Sequence, residues 1–174
     1  MTGRQLRELT GHTDAAVAVA FAPDGRSLAS AGNDGTVRLW DPATGRQLRE
    51  LTGHTGWVSA VSFAPDGRSL ASAGHDGTVR LWDPATGRQV RELTGHTSEV
   101  KAVAFAPDGR SLASADGTVR LWDPATGSAM AVIATDTPAA SLCWTPNGIA
   151  VAGSGPFLLR VVTHPSTGDM APSG

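Results

Sequence analysis

The dipeptide Gly-His stands at 11–12, at 53–54 and at 95–96, and the segment around it recurs almost unchanged every 42 residues. Each copy also carries Ala-Pro-Asp-Gly-Arg-Ser-Leu-Ala-Ser and then Asp-Gly-Thr-Val-Arg-Leu-Trp-Asp-Pro-Ala-Thr-Gly. A fixed period of this length means that one supersecondary unit is repeated, each unit burying its apolar surface against its neighbours. The fold is therefore read from the repeat before any single residue is weighed.

One copy reads as four short strands. Val58, Ala60, Val61 and Phe63 form an apolar run that stops at Ala-Pro-Asp-Gly, where Pro65 presets a turn and Gly67 takes a positive φ. Ser69 to Ala73 is a small-residue strand, and His75-Asp76-Gly77 is the next hairpin signal. Thr78 to Trp82 alternates, with Val79 and Leu81 on one face and Thr78, Arg80 and Trp82 on the other. After Asp83-Pro84-Ala85-Thr86-Gly87, Arg88 to Leu93 sets Val90 among charged neighbours, as an outer strand in water requires. Arg49, Glu50, Arg91 and Glu92 guard such edges against pairing with other chains.

Four antiparallel strands in about 40 residues is the size of one propeller blade. With Gly-His, the hairpin aspartate and a closing Trp-Asp in three tandem copies, residues 3 to 127 resemble the WD-repeat family of β-propellers, of bacterial type. The resemblance implies an all-β fold and a buried structural network in each blade. The residues at the matching positions are His12, Ser30, Asp34 and Trp40; His54, Ser72, Asp76 and Trp82; and His96, Ser114, Asp116 and Trp122. A serine, a histidine and an aspartate suggest a hydrolytic triad. The residues argue otherwise, because a hydrolase needs one activated serine and an oxyanion hole, whereas every blade needs its own set of partners for a buried indole, hydroxyl and imidazole. The third copy is two residues shorter before its turn, Ala-Ser-Ala-Asp-Gly replacing Ala-Ser-Ala-Gly-His-Asp-Gly, so its network is expected to be distorted or incomplete.

Residues 128 to 164 read as a decayed fourth copy without Gly-His or Trp-Asp. Met130 to Ala134 serves as an outer strand, Ser141 to Trp144 as a first strand, Thr145 to Gly148 as a hairpin, Ile149 to Gly153 and Phe157 to Val162 as the next two strands. Residues 1–164 thus form the repeat domain and 165–174, rich in Pro, Ser, Thr and Gly, a disordered tail. With an outer strand at Gln5 to Leu9 the count is sixteen strands, or about four blades. Four blades in a ring must meet at about 90°, against roughly 50° in the seven-fold rings that the resemblance implies. The expectation is half of an eight-bladed dimeric ring, closed by exchange of first strands, or a fragment of a larger propeller.

Composition narrows the function classes. A net charge of −2 with a single lysine leaves no basic stripe for nucleic acid. No run approaches the roughly 20 apolar residues of a membrane span, and the first residues lack a signal-peptide core, which points to the cytoplasm. Cys143 stands alone and without metal-ligand spacing, so it reads as inert. No phosphate loop, metal cluster or separate catalytic set appears, and no cofactor, metal or enzymatic activity is expected.

The near-identity of the copies makes their differences informative. These cluster after Gly-His-Thr, where Asp14-Ala15-Ala16-Val17 corresponds to Gly56-Trp57-Val58-Ser59 and to Ser98-Glu99-Val100-Lys101. Loops at one end of a rigid scaffold carry binding residues. Asp14, Trp57, Glu99 and Lys101 are accordingly the candidates for contact with a partner, Trp57 as its aromatic anchor. His75 reads as a solvated hairpin residue. The expected function is a non-catalytic scaffold that binds a protein or peptide through this rim. The alternatives are the sensor end of a larger bacterial signalling protein and, remotely, a hydrolase using one of the Ser/His/Asp sets.

Overall fold

The computed structural model describes residues 7–135, 139–145, 148–153 and 159–162. Its described elements are all strands. Blade one is β1 (Ala16–Phe21), β2 (Leu28–Gly32), β3 (Val37–Trp40) and β4 (Gln47–Leu51). Blade two is β5 (Val58–Phe63), β6 (Leu70–Gly74), β7 (Val79–Trp82) and β8 (Gln89–Leu93). Blade three is β9 (Ala102–Phe105), β10 (Leu112–Ala115), β11 (Thr118–Trp122) and β12 (Ala129–Ala134). A fourth sheet holds β13 (Ala139–Thr145), β14 (Gly148–Gly153) and β15 (Leu159–Val162). Every sheet is an antiparallel meander, each strand pairing with the next in sequence.

The turns follow from residue chemistry. In blade two Gly67 adopts φ +71° in the Pro-Asp-Gly hairpin and Gly77 φ +77° in the Asp-Gly hairpin, a region that a β-carbon disfavours. Asp83 closes the third turn by accepting the Ala85 amide at 2.9 Å and the Thr86 hydroxyl at 2.7 Å. These threonine contacts hold the Asp83 carboxyl below the ordinary aspartate value.

The core lies between blades, and both faces of an inner blade are covered. Ala29, Ala31, Val37, Leu39 and Leu51 of blade one meet Val58, Leu70 and Trp82 of blade two, with Val61 and Phe63 beside them. Ala71, Ala73, Val79, Leu81 and Leu93 meet Val100, Val103, Phe105, Leu112 and Trp122 in the same way. Small residues on one sheet thus receive large ones from the next, which lets the blades approach closely. The fourth sheet continues the pattern: Trp144 takes the ladder place of Phe63 and Phe105, and its indole donates to the Ala104 carbonyl at 3.0 Å.

Among the described residues nothing covers the front face of blade one in this way. Val19 and Phe21 are 68% and 62% exposed, whereas their counterparts Val103 and Phe105 are 7% and 8% exposed.

One expectation is corrected in part. The described residues hold fifteen strands rather than sixteen, because residues 7–9 of the expected Gln5 to Leu9 strand have no ladder partner; Gln5 and Leu6 lie outside the described residues. The segment nevertheless follows the path of an outer strand. Arg7 and Leu9 lie beside Gly45 as Arg49 and Leu51 lie beside Gly87. Pro146 and Asn147 of the expected fourth-copy hairpin, Phe157 and Leu158, and the expected tail 165–174 lie outside the described residues.

Candidate functional site

The repeated histidine, serine, aspartate and tryptophan converge as a chain of hydrogen bonds across each blade. In blade two, β6 carries Ser72 and β7 carries Trp82, while the crossing segment before β5 brings His54 over the sheet. The Trp82 indole donates to Ser72 Oγ at 2.8 Å, and Ser72 Oγ lies 2.8 Å from His54 Nε2. His54 Nδ1 is 2.9 Å from Asp76 Oδ2. Asp76 also accepts the Thr55 amide at 3.0 Å and the Thr78 hydroxyl at 2.8 Å. The proton count closes with Nδ1–H donated to the carboxylate and Nε2 accepting the serine proton.

Blade one repeats this geometry. Trp40 reaches Ser30 Oγ at 2.8 Å, Ser30 reaches His12 Nε2 at 2.7 Å, and His12 Nδ1 lies 2.9 Å from Asp34. Burial opposes ionisation of Asp34 and Asp76, but the amides and hydroxyls aimed at them hold both carboxyls at about 2. Burial lowers the basicity of His54 and outweighs the opposing charge of Asp76.

This arrangement differs from a nucleophile awaiting substrate. Ser72 and Ser114 are fully buried and Ser30 is 5% exposed, each hydroxyl committed to an indole on one side and an imidazole on the other. The serine is the middle of a bracket between the second and third strands. Among the described residues no group of three or more His, Cys, Asp or Glu is placed to hold a metal ion.

The third network is more complete than the shortened turn leads one to expect. Trp122 and His96 reach Ser114 at 2.7 and 2.6 Å, and Asp116 accepts the Thr97 amide at 3.2 Å and the Thr118 hydroxyl at 2.8 Å. The ladder explains how. In blade two the Gly74 amide donates to the Thr78 carbonyl, and in blade three the Asp116 amide donates to Thr118 in the same register. Asp116 therefore stands where Gly74 stands. A β-carbon on Gly74 would lie 2.3 Å from His54 Nδ1, so a side chain growing from that point is aimed at the histidine. The deletion removes the original aspartate position and supplies a carboxylate from the glycine position. Some distortion remains: Asp116 Oδ1 is 3.0 Å from His96 Nδ1 but out of line, so Nδ1 is buried without a directed acceptor. Burial again opposes ionisation of Asp116, and Thr118 and His96 hold its carboxyl at about 2.

On the rim above these networks, the structure places the partner candidates unequally. Trp57 is 51% exposed, its ring centroid 5.3 Å from that of His75. His75 Nδ1 lies 3.4 Å from Glu99 Oε1 on the next blade, so His75 links Trp57 to Glu99. Lys101 and Asp14 are exposed on the same rim, the Lys101 amide tied to the Ala115 carbonyl at 2.8 Å and Asp14 accepting the Ala15 amide at 2.6 Å. The bridging place of His75 was not read from the sequence. A signal existed in the period, because the Asp-Gly turn of each blade abuts the loop of the following one: a β-carbon on Gly35 would lie 3.3 Å from the Gly56 carbonyl, and one on Gly77 3.5 Å from that of Ser98.

Comparison with known proteins agrees with this geometry. The family model described as "WD domain, G-beta repeat" matches residues 3–41, 45–83 and 87–123. Among curated proteins, the chain is 56% identical over 41 residues to Protein Mut11 of Chlamydomonas reinhardtii, covering 24% of this chain and 11% of that protein. It is 50% identical over 38 residues to the Notchless protein homolog of Arabidopsis thaliana, covering 22% and 8%. It is 53% identical over 36 residues to human Striatin-4, covering 21% and 5%. The matched segments are thus a small part of those proteins' lengths. A solved structure titled "Structure of U3-55K" superposes with a TM-score of 0.81 at 24% identity, covering 84% of this chain and 48% of that one, which supports the fold.

Proposed function

The chain belongs to the WD-repeat family, and from that premise we propose that it is a cytosolic, non-catalytic scaffold presenting one rim to a protein or peptide partner. The observation that carries this reading is the half-exposed Trp57 with its ring tilted against His75, whose Nδ1 in turn lies 3.4 Å from the Glu99 carboxylate. A large aromatic held on a rigid sheet loses little side-chain freedom when a partner covers it, and such residues dominate interface energetics. Asp14 and Lys101 add charged contacts on the neighbouring blades. The non-catalytic reading rests on the burial of all three serine hydroxyls.

Replacing Trp57 by alanine is expected to weaken partner binding by about 2 kcal/mol or more, roughly thirty-fold, with melting nearly unchanged. Pull-down from the source cell with both forms, followed by calorimetry on the captured partner, checks this. Equal affinity of the two forms would remove Trp57 from the interface.

The bare front face of blade one favours a second element of function, self-association. The repeat itself specifies what fits there: in blades two and three the equivalents of Val19 and Phe21 pack on the preceding blade's alanines, valine and leucines. We propose that a second copy covers this face with its fourth sheet. Light scattering is expected to give twice the chain mass for the wild type and the monomer mass for Phe21→Glu. A wild-type monomer would refute the dimer.

A further inference from the structure

Blade three departs from blades one and two along its outer strand, in a way that neither the buried network nor the rim requires. In blade one, Arg38 donates from Nη1 to Gln47 at 2.7 Å and pairs through Nη2 with Glu50 at 3.0 Å. In blade two, Arg80 does the same with Gln89 at 2.6 Å and Glu92 at 3.0 Å. The ladder puts Ala129 and Val132 at those two places in blade three, opposite Trp122 and Arg120. Arg120 keeps the position of its counterparts, its guanidinium beside Gly95 as that of Arg80 is beside Gly53. Among the described residues it has no carboxylate or amide partner for its terminal nitrogens, while its Nε is buried without an acceptor as those of Arg38 and Arg80 are.

The strand that lost those partners is also an open edge. Among the described residues β12 pairs with β11 alone, and from Ser128 to Thr135 the chain has no ionisable residue. Met130 and Val132 are 47% and 52% exposed, and Ala129 and Ala131 are exposed as well. An edge strand offers a row of unpaired N–H and C=O groups, and charged side chains are the usual guard against foreign strands. Arg49, Glu50, Arg91 and Glu92 supply that guard in β4 and β8. β12 has the hydrogen-bonding edge, the apolar side chains and a nearby cation, without the guard.

We propose that β12 is a docking site for an extended segment of a partner polypeptide that adds to blade three as a fifth strand and sets an acidic side chain on Arg120. Strands lie about 4.8 Å apart, so a residue on the added strand is about 10 Å from the Arg120 backbone, within the joint reach of a glutamate and an arginine lying over Val132. Main-chain bonds supply affinity in this mode and the carboxylate supplies selection. The site is on the outer perimeter, away from Trp57.

The test uses the full chain and a fluorescent, end-blocked seven-residue peptide of alternating threonine and valine with one central glutamate, read by anisotropy. Saturable binding is expected, at least tenfold weaker for the peptide with glutamine in place of glutamate. The variant Val132→Glu restores the residue that β4 and β8 carry, supplying Arg120 with a carboxylate in cis and guarding the edge. It is expected to melt no lower than the wild type and to lose at least tenfold in peptide affinity, while Trp57→Ala binds the peptide as the wild type does. Absence of saturable binding, or binding indifferent both to glutamine in the peptide and to Val132→Glu, would overturn the proposal and leave the rim reading untouched.

Discussion

Replacing Trp82 by alanine is expected to lower the unfolding free energy by about 3–5 kcal/mol, the range for removing a large aromatic from a packed core. Trp82 is 2% exposed and stands in the layer between blades one and two, against Ala29, Ala31 and Leu39 of the neighbouring sheet. Its loss opens a cavity and removes the donor that holds Ser72 Oγ. The two effects separate experimentally. Trp82→Phe keeps most of the packing and loses only the indole N–H, at an expected cost of about 1–2 kcal/mol. Because each blade is stabilised through its neighbours, the alanine variant should weaken blade one as well, and urea unfolding followed by circular dichroism should show a lowered midpoint for the whole array. A loss below about 1 kcal/mol for Trp82→Ala would contradict the packing described.

Asp76→Ala is expected to cost about 3–5 kcal/mol, because it removes one acceptor and orphans several buried donors. The Thr55 and Thr78 amides, the Thr78 hydroxyl and His54 Nδ1 all direct hydrogens at this carboxylate. The same residues set the acid response. The fold holds the Asp76 carboxyl at about 2, below its unfolded value near 4, so its contribution is complete above about pH 4 and is lost as pH falls toward 2. Burial likewise lowers the His54 value, so the fold prefers neutral imidazole, and stability begins to fall as pH drops below about 6.5. Melting temperature measured from pH 8 to pH 3 should therefore be flat at first, decline below about 6.5 and fall further below about 4. In Asp76→Ala the lower decline should be shallower, with Asp34 and Asp116 supplying what remains.

The period of Gly-His, the Pro-Asp-Gly and Asp-Gly turns and the alternation around Trp82 carried enough information to place four strands per copy. The twelve residues of the three networks came from the resemblance to WD-repeat proteins, and the need of a buried indole N–H, hydroxyl and imidazole for partners gave that assignment its physical reason. The shortened turn predicts a distorted third network, and His96 Nδ1 indeed lacks a directed acceptor, but spacing alone could not foresee that Asp116 would approach its histidine from the register of a glycine. That depends on the direction of a β-carbon in space, and removing two residues changes which position points at His96. Of the strand expected from Gln5 to Leu9 only residues 7–9 are described, and they repeat the sequence of residues 49–51 without forming a strand, because a strand forms only where a neighbour offers a ladder. His75 was misread as solvated because its contacts, Trp57 and Glu99, lie on its own blade's loop and on the next blade.

The claim that these serine, histidine and aspartate sets fasten blades is tested most directly by a double-mutant cycle at His54 and Asp76. Equilibrium urea unfolding of His54→Ala, Asp76→Ala and the double variant should give a coupling of about 1–3 kcal/mol, since each residue leaves the other's buried polar group unpaired. Strictly additive losses, or single variants as stable as the wild type, would contradict it.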